Sequence, residues 1–437
     1  MEKLSYEQCL EELFALGRFG IKLELDTVAG ILERLGSPEK TFNAVHIAGT
    51  NGKGSIASTV ASILQTAGVT TGLYTSPHLI KFNERFIING VQVSDDEIVD
   101  AYMAVKAVDT GERKATYFEL TTTMAFYLFA QKKVQWAVIE TGMGGRLDAT
   151  NILNPALCLI TNLSIEHTDY LGNTLEEIAA EKAGIIKQEV PVITGVSQPR
   201  ALAVIKDTAQ KKDAPLYTMG ESFSTKAIIH SPSAPFDYQG IGLTLKDLET
   251  PLPGAHQIQN AALALAACEL LSKSGPTNPR PPVITPETIR KGLLATRWPG
   301  RLEYILNEPH VILDGAHNLH SAENLGRFLR EEGKPSHLTL VLGILDDKPY
   351  EKMLQFLVPT ADRIIFTRPK INRNLDPAVL QRASKEFTRV ETTIIDDVGE
   401  AAVHAIETAP STGTVCIAGS LYVVGEARSC ILKKYIK

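Results

Sequence analysis

One junction constrains this chain more than any other. The apolar run Phe42 to Ala48 (FNAVHIA) leads into HIAGTNGKGS, His46 to Ser55, and then into a segment with Ile56, Val60, Ile63 and Leu64 on one helical face. The run reads as a buried strand. The spacing after it predicts a helix over Ser55 to Ala67, with Gly68 placed to stop it. A glycine-rich turn between strand and helix gathers backbone N–H groups and the positive end of the helix dipole at one point, which is how such a turn holds phosphate. Gly49, Gly52 and Gly54 permit the tight turn, with Thr50 and Asn51 between them. Lys53 has the reach for terminal phosphates, and the Ser55 hydroxyl can face phosphate or metal. The spacing is not the common G-x-x-x-x-G-K-[ST], because Gly49 to Gly52 is shorter and Gly54 intervenes. The competing reading is a plain turn with a solvated lysine; three glycines, Lys and Ser in this context favour a nucleotide site.

The same alternation of strand and helix continues along the chain. Gly72 to Tyr74, Trp136 to Glu140, Ala156 to Thr161 and Val190 to Thr194 read as strands, which predicts an α/β fold with a mainly parallel sheet covered on both faces. The stretch Tyr217 to Leu248 is less regular and reads as a small antiparallel insertion. Proline, glycine and serine cluster over Lys273 to Pro286, and a helix is expected from Glu287 to Ala295. Strands restart at Val311 to Leu313, Leu338 to Leu345, Arg363 to Thr367 and Val415 to Ala418. A boundary near residue 297 follows, giving a nucleotide-binding domain over 1–296 and a smaller α/β domain over 297–437.

Composition narrows the class of function. The 437 residues carry 44 basic and 50 acidic side chains, a net charge of -6, which gives no support for nucleic acid as the main partner. Five scattered cysteines without a C-x-x-C spacing argue against a disulfide framework and a thiolate zinc site, and suit the cytoplasm. The N-terminus MEKLSYEQCLEEL is acidic where a signal peptide is apolar, and no run approaches the roughly 18 apolar residues of a membrane span.

Three more loops carry candidate chemistry. Glu140 ends a strand and enters TGMGGRLDATN, Thr141 to Asn151, and a carboxylate at that end of a parallel strand suits Mg²⁺. Ser76 in TSPHL offers a hydroxyl oxygen. His167 lies in TNLSIEHTD; a lone histidine is an unusual Mg²⁺ ligand, and more often a surface or satisfied core group. Thr174 and Glu177 form a capping box for TLEEIAAEKAGIIK, where Lys182 beside Glu181 reads by spacing as an exposed charge pair.

Taken together, the runs HIAGTNGKGS, YTSPHL, YFELTT, ETGMGGRLDATN, SIEHTDYLGNTLEEIAAEKAGIIK, GAHQIQNAALALAA, RWPGRLE, LDGAHN and GSLYVVGEAR resemble the folylpolyglutamate synthase family, with its bifunctional dihydrofolate synthases, in the Mur ligase superfamily. The resemblance spans nearly the whole chain in one order. It implies a P-loop domain plus a Rossmann-like C-terminal domain, with ATP and L-glutamate between them. It also implies Mg²⁺ held by Ser76, Glu140 and His167, and Lys182 as a carbamylated lysine supporting a second metal. Asn260 would contact adenine, Arg301 the ATP phosphates, and Asp314 the nucleotide from the second domain. His317 and Ser420 match residues linked to the incoming glutamate, and Phe118 and Asp148 match positions that contact pterin in bifunctional members. The family is usually monomeric.

The implied reaction turns the carboxylate of a folate, or of dihydropteroate, into an acyl phosphate that the glutamate amine attacks. Lys53, Arg301 and the metals would supply positioning and charge neutralisation. Local pattern alone leaves Asn260 readable as a polar helix face and Arg301 as a solvated linker charge. A Mur-type ligase for a peptidoglycan precursor shares the phosphate loop but not the combination of TSPHL, GGRLDATN and GSLY. A nucleotide-binding protein that does not ligate is the alternative from another class.

Overall fold

Two sheets present their carboxyl edges to a common cleft. The structure, a computed structural model, describes residues 4–17, 24–111, 113–227, 235–273, 282–333 and 335–436. Residues 1–3 of the acidic N-terminus, 228–234 of the expected insertion and 274–281 of the proline-rich break lie outside them.

In the first lobe, β1 (Asn43–Ala48), β2 (Thr71–Tyr74), β3 (Phe86–Ile88), β4 (Val91–Gln92), β5 (Trp136–Glu140), β6 (Leu157–Ile160), β7 (Val192–Thr194) and β8 (Leu216–Thr218) form an eight-stranded sheet. Its order is β4-β3-β2-β5-β1-β6-β7-β8. Pairings from β2 across to β8 are parallel, and β3 and β4 add an antiparallel edge. Alternate residues of each strand feed opposite faces. Val45, Ile47, Trp136, Val138, Leu157 and Leu159 enter one core. Ala44, Ala137 and Ile139 enter a second, and Ala48, Cys158 and Ile160 a third.

The helix after β1 runs Lys53–Thr66 and starts at Lys53 rather than at Ser55, with Gly52 as its N-cap at φ 84°. The turn needs fewer residues than its glycine content suggests, so Lys53 opens the helix. This helix is buried between the sheet and the helices Ala255–Ser272 and Pro286–Ala295.

The irregular stretch divides. Its first strand, β8, joins the parallel sheet, and β9 (Ser224–Ala227), β10 (Phe236–Gln239) and β11 (Thr244–Leu248) make a separate antiparallel sheet. Buried Glu269 ties that sheet to the long helix by accepting from Tyr238 Oη (2.8 Å), Ile241 N (2.9 Å) and Gly242 N (3.0 Å).

The second lobe is a six-stranded sheet of β12 (Glu303–Asn307), β13 (His310–Asp314), β14 (Leu338–Leu342), β15 (Arg363–Arg368), β16 (Glu391–Asp397) and β17 (Thr414–Ala418). Its order is β12-β13-β17-β14-β15-β16, with only β12 antiparallel to its neighbour. The lobes meet along two seams. Trp298 packs on the phosphate-loop helix so closely that a Cβ on Gly54 would lie 2.3 Å from its ring. On the other seam Leu79 packs against the second-lobe core, and a Cβ on Gly425 would lie 2.1 Å from the Leu79 carbonyl oxygen. No helix among the described residues is long and apolar enough to cross a membrane.

Candidate active site

Adjacent parallel strands β2, β5, β1 and β6 end in four loops that carry Ser76, Glu140, the 49–55 turn and His167. Across the cleft, β13, β17 and β14 end in the loops that carry Asp314, Ser420 and Lys348. This is the edge where open α/β sheets bind ligands, because loops diverge there around a crevice. Both sets of loops line one cavity of about 280 Å³.

Most of the residues singled out from sequence come together there. The cavity is lined by Thr50, Asn51, Gly52, Lys53, Gly54 and Ser55 from the turn, by Ser76, Glu140, His167, Lys182 and Asn260 from the rest of the first lobe, and by Arg301, Asp314, His317 and Ser420. Gly49 does not line it. It lies at φ 146°, and a Cβ there would fall 1.8 Å from Thr161 Oγ1, so the close passage of the turn over the β6 loop demands glycine.

Phe118 and Asp148 are not brought to the cavity. Both lie behind the Gly142–Gly144 turn that lines it: a Cβ on Gly142 would meet the Phe118 ring at 2.4 Å, and Asp148 accepts from Met143 N at 2.9 Å. Asp148 is buried and also caps the turn of 3-10 helix Ala149–Ile152.

Electrostatics distinguish two of the first-lobe groups. Glu140 is 4% exposed, accepts from Ser76 N at 3.1 Å, and faces Lys53 Nζ across 4.0 Å. Burial pushes its carboxyl above the ordinary value, with Lys53 pulling the other way. Lys182 is not the exposed partner that the helix pattern suggested: it is 2% exposed and donates to Gly49 O at 2.9 Å. Lys53 donates to the same carbonyl oxygen at 3.0 Å. Burial first, and the Lys53 charge second, pull the Lys182 ammonium down to about 7. Helical spacing places Lys182 beside Glu181 in sequence but on the inward face, over the phosphate turn.

The depressed folded-state pKa of Lys182 gives it a stability share that is complete above its ordinary value of 10.5 and lost as pH falls through about 7. In CO₂-free buffer, Lys182→Met is therefore expected to melt higher than the parent by a margin that widens from about pH 10 to about pH 7 and is flat below. Thermal melts of both proteins across that range check it; a margin independent of pH would show that Lys182 stays charged.

In the second lobe, Asp314 accepts from Leu302 N and Ala316 N, both at 2.9 Å, and burial raises its carboxyl. His317 Nδ1 lies 2.8 Å from Gly315 O, an atom that only accepts, so Nδ1 carries the proton and Nε2 keeps a lone pair. Burial and the nearby Arg301 hold its pKa down to about 4. Ser420 is the buried N-cap of Leu421–Tyr435, its oxygen accepting from Val423 N at 3.1 Å. Asn260 is buried and Arg301 lines the cavity, so neither is a solvated surface group.

Sequence reasoning passed over Glu166, His256, Gln257, Lys348 and Arg373, which line the same cavity. Glu166 and His256 stood inside quoted runs, SIEHTD and GAHQ; the two second-lobe cations lie in loops with no periodic signal. Among the described residues no group of three or more His, Cys, Asp or Glu could hold a metal ion. The donors present fit Mg²⁺ all the same, since that ion is commonly held by one or two carboxylates with phosphate oxygens and water, and Glu140 is a desolvated carboxylate whose nearest cation stands 4.0 Å away.

Comparison with known proteins agrees with this geometry. Residues 47–268 match the Mur ligase middle domain and residues 300–421 the Mur ligase glutamate ligase domain. The chain is 39% identical to the dihydrofolate synthase/folylpolyglutamate synthase of Bacillus subtilis, over 94% of this chain and 95% of that protein. Its structure is similar to the folylpolyglutamate synthase of Thermotoga maritima (TM-score 0.85, 35% identity, covering 99% of this chain and 98% of that one). It is also similar to E. coli FolC in complex with DHPP and ADP (TM-score 0.88, 30% identity, covering 99% of each). A two-lobed α/β architecture, a phosphate turn facing a second-lobe acid, and relatives matched end to end have one explanation: the chain belongs to the folylpolyglutamate/dihydrofolate synthase family of Mur ligases.

Proposed function

We propose that this protein is an ATP-dependent ligase that adds L-glutamate to the carboxylate of folates, and to dihydropteroate. The observation that carries the reading is one cavity lined from opposite sides by the phosphate turn and by Asp314, His317 and Ser420. The relatives bear the corresponding names, and one was solved with DHPP and ADP. Residues 1–296 and 297–437 act as the two lobes.

ATP binds with its phosphates on the N–H groups of 49–55 and at the helix N-terminus, its terminal phosphate near Lys53 and Arg301. Asn260 stands at the nucleotide's adenine end, and Asp314 meets the nucleotide from the other lobe. Ser76, Glu140 and His167 would hold Mg²⁺, which when bound would neutralise phosphate oxygens. An acceptor carboxylate oxygen attacks the γ-phosphorus, the bond to the β-phosphate oxygen breaks, and ADP leaves. The glutamate amine then adds to the acyl carbon, and collapse of the tetrahedral adduct expels phosphate.

His317 Nε2, unprotonated by the geometry above, accepts a hydrogen bond from the glutamate nitrogen and orients it, and the departing phosphate takes up the proton that the nitrogen gives up. The Leu421–Tyr435 helix N-terminus and the Ser420 hydroxyl receive a glutamate carboxylate. Phe118 and Asp148 shape the acceptor side through the Gly142–Gly144 turn. Lys182 Nζ, neutral in part near pH 7, can add CO₂ and release a proton to form a carbamate, which removes the clash of two ammonium groups on Gly49 O. Action as a monomer is part of this reading, following the family resemblance, and the free cysteines suit a reducing cytoplasm.

The purified protein with ATP, Mg²⁺ and labelled glutamate is expected to make amide, ADP and phosphate in equal amounts with tetrahydrofolate and with dihydropteroate. ADP release that ignores the acceptor would sink the ligase reading; amide from tetrahydrofolate alone would restrict it to the synthase.

A further inference from the structure

The phosphate turn is bonded to the second lobe by a side chain that nothing above uses. Asn318 follows the GAH triplet and is the N-cap of the helix Leu319–Arg327, its Oδ1 accepting from Ser321 N at 2.9 Å. Its amide nitrogen points the other way, into the first lobe. It donates to Asn51 Oδ1 at 2.9 Å and to Glu166 Oε2 at 3.1 Å. Asn51 Nδ2 returns toward the second lobe, 3.2 Å from His320 Nδ1. Asn318 is 6% exposed, so these bonds compete little with water.

The first-lobe partners are themselves held. Asn51 N donates to Asn162 Oδ1 at 3.0 Å, and Asn51 O accepts from Thr161 Oγ1 at 2.6 Å. A pull on the Asn51 side chain is therefore a pull on the phosphate turn and the β6 loop together. Glu166 adjoins His167 on that loop, so the same amide also fixes the loop that carries a proposed metal ligand.

We propose that Asn318 is a positioning residue for the ligation reaction, a cross-cleft latch that sets the phosphate turn, through Asn51, and the 161–167 loop, through Glu166, against the second lobe. The inference rests on the ligase reading for its kinetic consequence, and not for the closure itself. An acyl phosphate survives only where water is kept out, so a lobe that is not latched spends nucleotide without making amide.

The two ends of the Asn318 side chain divide the cap from the short latch bonds; Oδ1 has in addition only a long contact across the cleft, 3.5 Å from Asn51 Nδ2. Aspartate caps a helix as well as asparagine does. Asn318→Asp therefore keeps the Leu319–Arg327 helix while it removes the donor and sets a carboxylate against Glu166. Glu166→Gln alone keeps an acceptor there. Combined with Asn318→Asp, it supplies a new donor to the new carboxylate and restores the bond with reversed polarity.

The test is steady-state kinetics of the four proteins with tetrahydrofolate, with small-angle X-ray scattering in a saturating non-hydrolysable ATP analogue. Asn318→Asp is expected to lose about tenfold or more in kcat for amide, to keep the melting temperature, to release more phosphate per amide, and to show a larger radius of gyration. The double variant is expected to regain most of the loss and the compact radius. Full activity of Asn318→Asp, or a double variant no better than the two single effects combined, overturns the latch. Should the parent protein make no amide, the ligase reading falls by itself, and the scattering and its rescue still decide whether Asn318 closes the cleft.

Discussion

Lys53→Ala is expected to lower ligation by about a thousandfold while the fold persists, because the side chain's main service is to charge that appears only with ATP. Lys53 Nζ is folded back onto Gly49 O and Thr50 O, at 3.0 and 3.1 Å. Removing those bonds costs little by itself, since Gly49 O still accepts from Lys182 and Thr50 lines the cavity. Their loss costs about 1 kcal/mol, and the buried Glu140 carboxyl, left without the cation 4.0 Å away, adds to that cost as pH rises. Phosphate oxygens arriving over the turn offer a stronger partner. Circular dichroism melts and labelled-glutamate incorporation measure the two quantities separately. Turnover within about tenfold of the parent would remove Lys53 from the phosphate site.

Glu140→Gln is expected to cost about a hundredfold or more in activity, move the Mg²⁺ requirement to higher concentration, and raise the melting temperature of the ligand-free protein. The opposed signs share one cause. Burial raises the folded-state pKa of Glu140 above its ordinary value of 4.5, so its stability share is complete below that value and lost as pH rises. The gain in melting temperature from the glutamine should thus be smallest in acid and grow toward neutral pH. A glutamine can still accept from Ser76 N, so the loop bond survives the change. A variant less stable than the parent at neutral pH would show that Glu140 serves structure instead.

The parts of the fold legible in sequence are those with a period. Strands β1, β5 and β17 are buried on both faces and read as mainly apolar runs, broken in β1 only by Asn43 and His46, and the helices packed on them show regular spacing. The edges were not legible. The β3–β4 hairpin is short and half exposed, and β12 has only a loose alternation, so neither carries a pattern stronger than a loop. In the site, glycine-bearing turns announced themselves. Lys182 did not, because a lysine on a helix gives no sign of its direction, and here it points under the phosphate turn. Asn318 was visible as the last residue of LDGAHN, yet its reach to Asn51 depends on how the lobes meet, which no local pattern contains.

The loop 75–79 bridges the halves of the molecule. One end is tied to Glu140 through Ser76 N, and the other, Leu79, is pressed against Gly425 with no room for even a methyl group between them. A rocking motion of the C-terminal half must travel down this short strut and displace the oxygen donors at its far end. Lengthening or softening this loop would then loosen Ser76 and Glu140 together, so the proposed cation site should answer to changes made at the seam between the lobes.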